Sequence, residues 1–226
     1  MHCSIARRSM AIFSILLPLV FLIACNSTHA NVALPNPAVD DSLAAASGQQ
    51  TTVFAGGCFW GIQAVFEHVK GVIHATAGYS GGSADTAQYE TVSTGTTGHA
   101  ESVRVVYDPS QVTYGQLLRI FFSVHDPTEL NRQGPDSGTQ YRTAIFFAND
   151  SQQRIAAAYI DQLNHSRIFS NQIVTQVVAL KAFYPAEAYH QDYAFLHPDN
   201  PYIMINDLPK VTYLRQQFPA LYIEKR

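Results

Sequence analysis

The sequence predicts an α+β domain: a ferredoxin-like β-α-β-β-α-β core with a mainly antiparallel mixed sheet and long Gly-rich loops. Three observations lead there. Strand-like and helix-like segments intermix without the strict alternation of a doubly wound sheet. Two glycine-rich stretches, 79–100 and 126–140, are too long to be plain connections and read as site-forming loops. Hydrophobic residues make up 47% and charged residues 14% of the 226-residue chain, which is material for a core and not the composition of a disordered chain.

The elements follow in chain order. Residues 51–55 read as a short strand that runs through Gly56-Gly57 into a helix, where Ile62, Val65, Phe66 and Val69 recur at i, i+3, i+4 and i+7. Gly71 stops that helix. Residues 72–77 and 102–107 are further strands, the second closed by Asp108-Pro109. Thr113 with Gln116 forms a capping-box pattern before a helix burying Leu117, Ile120, Phe121 and Val124. Residues 142–148 give another strand, and Asp150 with Gln153 repeats the cap before a helix through Leu163. The β-branched run 173–180 is a strand, and 186–195 a short helix.

The N-terminus predicts export. Arg7 and Arg8 precede an apolar run over 11–24, too short for a comfortable bilayer span but of the kind that begins a secretory signal, so 1–25 is read as a signal peptide. Leu22-Ile23-Ala24-Cys25 resembles the bacterial lipobox, which would acylate Cys25, whereas Thr28-His29-Ala30 offers an ordinary cleavage site. The lipobox is preferred, and a retained hydrophobic anchor is the third possibility. The expected location is periplasmic, or membrane-anchored on the periplasmic side. Residues 26–50 lack periodicity and read as a flexible tether, leaving 51–226 as the folded domain.

A net charge of −3 without clustered Lys and Arg argues against a nucleic-acid partner. With Cys3 and Cys25 in the exported segment, the domain keeps one thiol, Cys58, and no disulfide within it is expected. A monomer is expected.

Gly56-Gly57-Cys58-Phe59-Trp60-Gly61 decides the chemical reading. A lone Cys is commonly a small buried hydrophobe. Here it falls where a strand gives way to a helix, so free backbone N–H groups and the helix dipole should favour its thiolate and lower its pKa. Phe59 and Trp60 could serve the core as aromatic pairs do, but beside a presented Cys they suggest an apolar pocket for a methyl group.

Gly57-Cys58-Phe59-Trp60-Gly61, with Gly98-His99-Ala100-Glu101 and Gly138-Thr139-Gln140-Tyr141-Arg142, resembles the A-type peptide methionine sulfoxide reductases over residues 51–209. The resemblance implies that Cys58 attacks the sulfoxide sulfur and becomes a sulfenic acid as methionine leaves. It assigns Glu101 as the proton donor, which requires a raised carboxyl pKa that an apolar pocket would supply. Tyr89 and Tyr141 match tyrosines that hydrogen-bond the sulfoxide oxygen, Asp136 a pocket carboxylate, and His190 and Tyr193 C-terminal pocket residues. The S epimer, free or in a peptide, is the implied substrate.

The chain departs from the commoner family pattern, because His197-Pro198-Asp199-Asn200-Pro201-Tyr202 continues into Ile203-Met204-Ile205-Asn206 with no resolving Cys. An outside thiol must then reduce the Cys58 sulfenic acid directly, a thioredoxin-like protein in the cell or dithiothreitol in vitro, with no bound cofactor. His99-Ala100-Glu101 also fits half of a zinc-deaminase signature, but no Cys follows residue 58, so no metal is expected. A Cys–His hydrolase using His99, His125 or His190, and a lipid-anchored module that merely binds methionine-rich peptides, are the rival readings.

Overall fold

A computed structural model describes residues 33–225; the signal segment 1–25 and Cys25 lie outside the described residues. The strands are β1 (Gln50–Gly56), β2 (Val72–Ser80), β3 (Ala100–Tyr107), β4 (Arg132–Gln133), β5 (Asp136–Ser137), β6 (Thr143–Phe147), β7 (Gln176–Ala179) and β8 (Tyr184–Pro185). The helices are α1 (Phe59–Glu67), α2 (Tyr89–Val92), α3 (Tyr114–Ser123), α4 (Asp150–Ser166), α5 (Tyr193–Leu196) and α6 (Leu208–Gln217). Six strands form one sheet in the order β7-β6-β1-β3-β2-β8, and β4 pairs with β5 separately. Every pairing in the six-stranded sheet is antiparallel except β6 with β7, so the architecture is α+β with a mainly antiparallel mixed sheet.

The main core lies where α1 and α3 cover one face of this sheet. Phe54 of β1 stacks on Phe66 of α1 at 5.2 Å between ring centroids and on Phe121 of α3 at 4.8 Å. The capping box of α3 is formed: the Gln116 N–H donates to Thr113 Oγ1 at 3.1 Å, and the Thr113 N–H donates to Gln116 Oε1 at 2.9 Å. These contacts fix α3 against β1, and β1 leads straight into α1.

Four expectations are corrected. Residues 33–50 are not a loose tether, although they carry almost no regular structure: Leu34 is buried in the main core, the Arg119 side chain donates to its carbonyl, and the Tyr159 hydroxyl donates to that of Pro35. Asp40 meanwhile accepts the Gly115 N–H at 2.8 Å in the first turn of α3, where a helix dipole favours a carboxylate. The cap of α4 is Asn149 rather than Asp150, its side chain accepting from the Gln152 N–H at 3.0 Å. The helix expected over 186–195 is broken, because the Gln191 side chain is drawn onto β2, accepting from the Ala77 N–H and donating to the Ala77 carbonyl. The strand expected over 102–107 starts earlier, at Ala100, so Glu101 lies within β3, opposite Tyr79. Helix α6 carries no apolar period that would mark it in the sequence: its second residue is Pro209 and its one fully sequestered apolar side chain is Leu214.

Leu34→Ala tests the docking of the N-terminal segment. A core Leu truncated to Ala costs about 2 to 5 kcal/mol, so urea unfolding should show a lowered midpoint at unchanged slope, whereas a loose segment would leave the midpoint where it is.

Candidate active site

Cys58 caps the N-terminus of α1, one residue beyond the end of the β1–Gly57 turn. Gly57 has φ +92°, and a Cβ there would lie 2.6 Å from Gln133 Cβ, so the turn that presents Cys58 needs glycine for backbone and for space. Cys58 is 8% exposed, at the edge of the core.

Glu101 is 3% exposed, and its Oε2 accepts the Phe59 N–H at 3.1 Å. The first free N–H of α1 is therefore directed at the carboxyl group. Burial pushes Glu101 up to about 8; the Phe59 N–H works against this, and the charges of Asp136 and Asp207 add to it. A carboxyl group with that value carries its proton at neutral pH.

The Cys58 thiol is pushed up, which corrects the expectation of a lowered pKa. Burial contributes most, followed by the Glu101 and Asp207 carboxylates; the Trp60 N–H and Lys210 pull the other way. Helix-terminal N–H groups favour a thiolate, but here they are outweighed and the resting nucleophile is a neutral thiol.

The aromatic residues come together around Trp60. Tyr193 stacks on Trp60 at 3.9 Å and 12°, Tyr202 meets it edge-on at 6.0 Å, and the Trp60 indole N–H donates to His190 Nδ1 at 3.2 Å. His190 also packs on Phe59 at 5.1 Å and on Tyr89 at 4.4 Å. The Tyr89 and Tyr141 hydroxyls are both raised by burial first and by the Glu101 charge second, with Cys58 contributing to each. They stay protonated and able to donate. Asp136 accepts a hydrogen bond from the Tyr202 hydroxyl. Thus Cys58, Glu101, Phe59, Trp60, Tyr89, Asp136, Tyr141, His190 and Tyr193 fall into one neighbourhood.

Three further groups belong to it that the sequence reading left without a role. Tyr202 is visible beside Pro201, but nothing local says that it reaches Trp60 and Asp136. Asp207 is fully buried beside α1 and accepts from Lys210 Nζ at 3.0 Å, while its Oδ2 has no hydrogen-bond partner among the described residues. In sequence it resembles an ordinary residue preceding a helix. Glu187 accepts from the Tyr79 hydroxyl at 2.8 Å and from the Tyr89 N–H at 2.9 Å, tethering the start of α2.

Asp207 also explains Gly61. A Cβ at Gly61 would sit 2.1 Å from Asp207 Oδ1 and 2.8 Å from Lys210 Nζ. Gly61→Ala should therefore destabilise the fold by about 1 to 3 kcal/mol through overpacking, read by urea unfolding, and lower turnover because α1 must shift. Unchanged stability would show that the pair yields freely.

The two other buried histidines are tied down. His99 accepts from the Gly82 N–H at 3.2 Å and bonds the Ser83 carbonyl at 2.9 Å. His125 bonds the Phe121 carbonyl at 2.7 Å and Thr143 Oγ1 at 2.9 Å, and burial pushes it down to about 4. Both have both ring nitrogens engaged, which leaves neither in place as a base for Cys58.

The family model for peptide methionine sulfoxide reductase matches residues 50–221, the stretch from the start of β1 to just beyond α6. Peptide methionine sulfoxide reductase MsrA 2 of Mesorhizobium japonicum is 63% identical over 182 residues, covering 80% of this chain and 93% of that protein. The protein of the same name from Synechocystis sp. is 54% identical over 188 residues, covering 82% and 88%. Among solved structures, reduced Mxr1 from Saccharomyces cerevisiae aligns with a TM-score of 0.63 at 30% identity, over 72% of this chain and 92% of that one. Methionine sulfoxide reductase A of Corynebacterium diphtheriae aligns with a TM-score of 0.60 at 34% identity, over 74% and 84%. The chain belongs to the peptide methionine sulfoxide reductase family, oxidoreductases that return methionine sulfoxide in proteins to methionine.

Proposed function

We propose that Cys58 takes the sulfoxide oxygen directly and that an outside thiol then removes it. The observation that carries this reading is a carboxyl group at about 8 held by the backbone N–H of the residue next to the thiol. As the sulfoxide enters, Tyr89 and Tyr141 donate hydrogen bonds to its oxygen and the Trp60 wall takes its methyl group. Glu101 gives its proton to the oxygen, which makes the sulfur electrophilic. The emptied carboxylate accepts the Cys58 proton as Sγ attacks, so a resting neutral thiol is no obstacle. The hydroxyl group then moves from the substrate sulfur to Sγ as the transient S–S bond and the S–O bond break, and the products are methionine and a Cys58 sulfenic acid.

No cysteine follows Cys58 in the sequence. A thiol from outside attacks the sulfenic sulfur and releases water, forming a mixed disulfide, and a second thiol frees Cys58. A thioredoxin-like protein is the proposed reductant, with dithiothreitol standing in for it in vitro. The proposed substrate is the S epimer, in oxidised proteins and as the free amino acid, and the role is repair after oxidative damage. We place the protein, as a monomer, outside the cytoplasm on the strength of Arg7, Arg8 and the apolar run that follows, with Cys25 as a candidate lipid anchor. The proposed inner sheet connectivity is ferredoxin-like, supported by the order β6-β1-β3-β2.

Incubation with a methionine-S-sulfoxide peptide and dithiothreitol, in parallel with an activated ester, tests the reaction class. Sulfoxide should be reduced and ester left intact. Ester turnover without sulfoxide reduction would overturn the reading in favour of acyl transfer.

A further inference from the structure

The Trp60–Tyr193 stack is held from behind by a tail that the chemistry does not use. Residues 221–223 run along 68–70, just past the end of α1: the Lys70 N–H donates to the Leu221 carbonyl at 2.6 Å, the Ile223 N–H donates to the His68 carbonyl at 2.9 Å, and the Tyr222 ring stacks on His68 at 5.7 Å. This brings Lys225 between two carboxylates, where Nζ donates to Glu67 Oε2 at 2.7 Å and to Asp192 Oδ1 at 2.9 Å. Its Nζ also lies 4.8 Å from the centre of the Phe195 ring. The Lys225 and Glu67 side chains are 17% and 11% exposed, so their contact is little screened by water.

Asp192 is the hinge of this arrangement. It has φ +57°, a backbone conformation that needs support in a residue other than glycine, and its N–H donates to Gln63 Oε1 at 3.1 Å. The next residue, Tyr193, opens α5 and stacks on Trp60. Glu67 and Gln63 belong to α1, the helix that also carries Trp60. The tail thus ties the two walls of the aromatic stack together.

We propose that Lys225 is a positioning residue for the substrate pocket: by bridging Glu67 to Asp192 it holds Tyr193 flat against Trp60 and so sets the wall that receives the sulfoxide's methyl group. The inference rests on the reading of that stack as the substrate wall. Without the cation, Asp192 loses its ionic tie to α1 and faces only the Glu67 carboxyl group, which burial pushes up to about 8, so Asp192 and Tyr193 are freer to move away from α1.

Trp60 is the only tryptophan in the chain, so its fluorescence reports the stack without turnover. Lys225→Met should shift Trp60 emission to longer wavelength. It should also raise KM for a peptide sulfoxide roughly fivefold to tenfold with kcat within about a factor of two, the pattern of lost uniform binding. Lys225→Arg should restore both readouts. Unchanged emission together with unchanged KM in a folded Lys225→Met protein overturns the proposal, as does a fall in kcat at constant KM. Shifted emission with unchanged KM removes the stack from substrate binding and overturns the pocket reading instead.

Discussion

Glu101→Gln is expected to lower kcat by about 10²- to 10⁴-fold, the range for loss of a positioned general acid. Glutamine keeps the shape and can still accept the Phe59 N–H at its carbonyl oxygen, so α1 and the Cys58 turn should stay in place. What it lacks is a transferable proton. The sign of the pH dependence follows from a carboxyl raised to about 8. The acid form is full below that value and is lost above it, so wild-type kcat/KM should fall as pH rises through about 8, and that limb should vanish in the glutamine variant. Equal pH profiles in the two proteins would show that the proton comes from elsewhere.

The same raised carboxyl carries a stability consequence of opposite sign to the usual acidic side chain. Unfolded, Glu101 would ionise near its ordinary value; folded, it holds its proton to about 8. Between those values the unfolded state gains by ionising, so Glu101 weakens the fold at neutral pH, a burden in keeping with a catalytic rather than a structural position.

Cys58→Ser is expected to reduce turnover by on the order of 10⁴-fold or more, the scale on which removing a nucleophile acts. The side chains are nearly the same size, so the fold and the aromatic stack should persist, as Trp60 emission would report. The loss is chemical, because a serine oxygen is a poor nucleophile towards sulfur and cannot store the transferred oxygen as a sulfenic acid. Retained turnover in a correctly folded serine variant would remove Cys58 from the reaction.

Much of the site was legible because its first half is local. Gly57-Cys58-Phe59-Trp60-Gly61 lies on one strand-to-helix turn, where glycine placement and helix onset are both written in neighbouring residues. The strands β1, β2, β3, β6 and β7 and the helices α1, α3 and α4 followed from periodicity, with ends displaced by a few residues. What could not be read depended on partners distant in sequence. The charge state of Cys58 is one example: the helix terminus is written in the local sequence, but only the folded chain buries the thiol and adds the charges of Glu101 and Asp207. Asp207 with Lys210 fits against Gly61 only after α6 has packed on α1. The break at Gln191 has the same origin, since its side chain satisfies the backbone of β2 in place of a neighbouring strand. The segment around Leu34 looked like a linker because one buried Leu and one helix-capping Asp do not make a period.

Intact-mass measurement after a single turnover without reductant tests the central chemistry most directly. Each chain should release one methionine and become heavier by one oxygen atom located on Cys58, with the added mass disappearing when dithiothreitol is supplied. Methionine released from a chain whose mass has not changed would contradict oxygen transfer to Cys58.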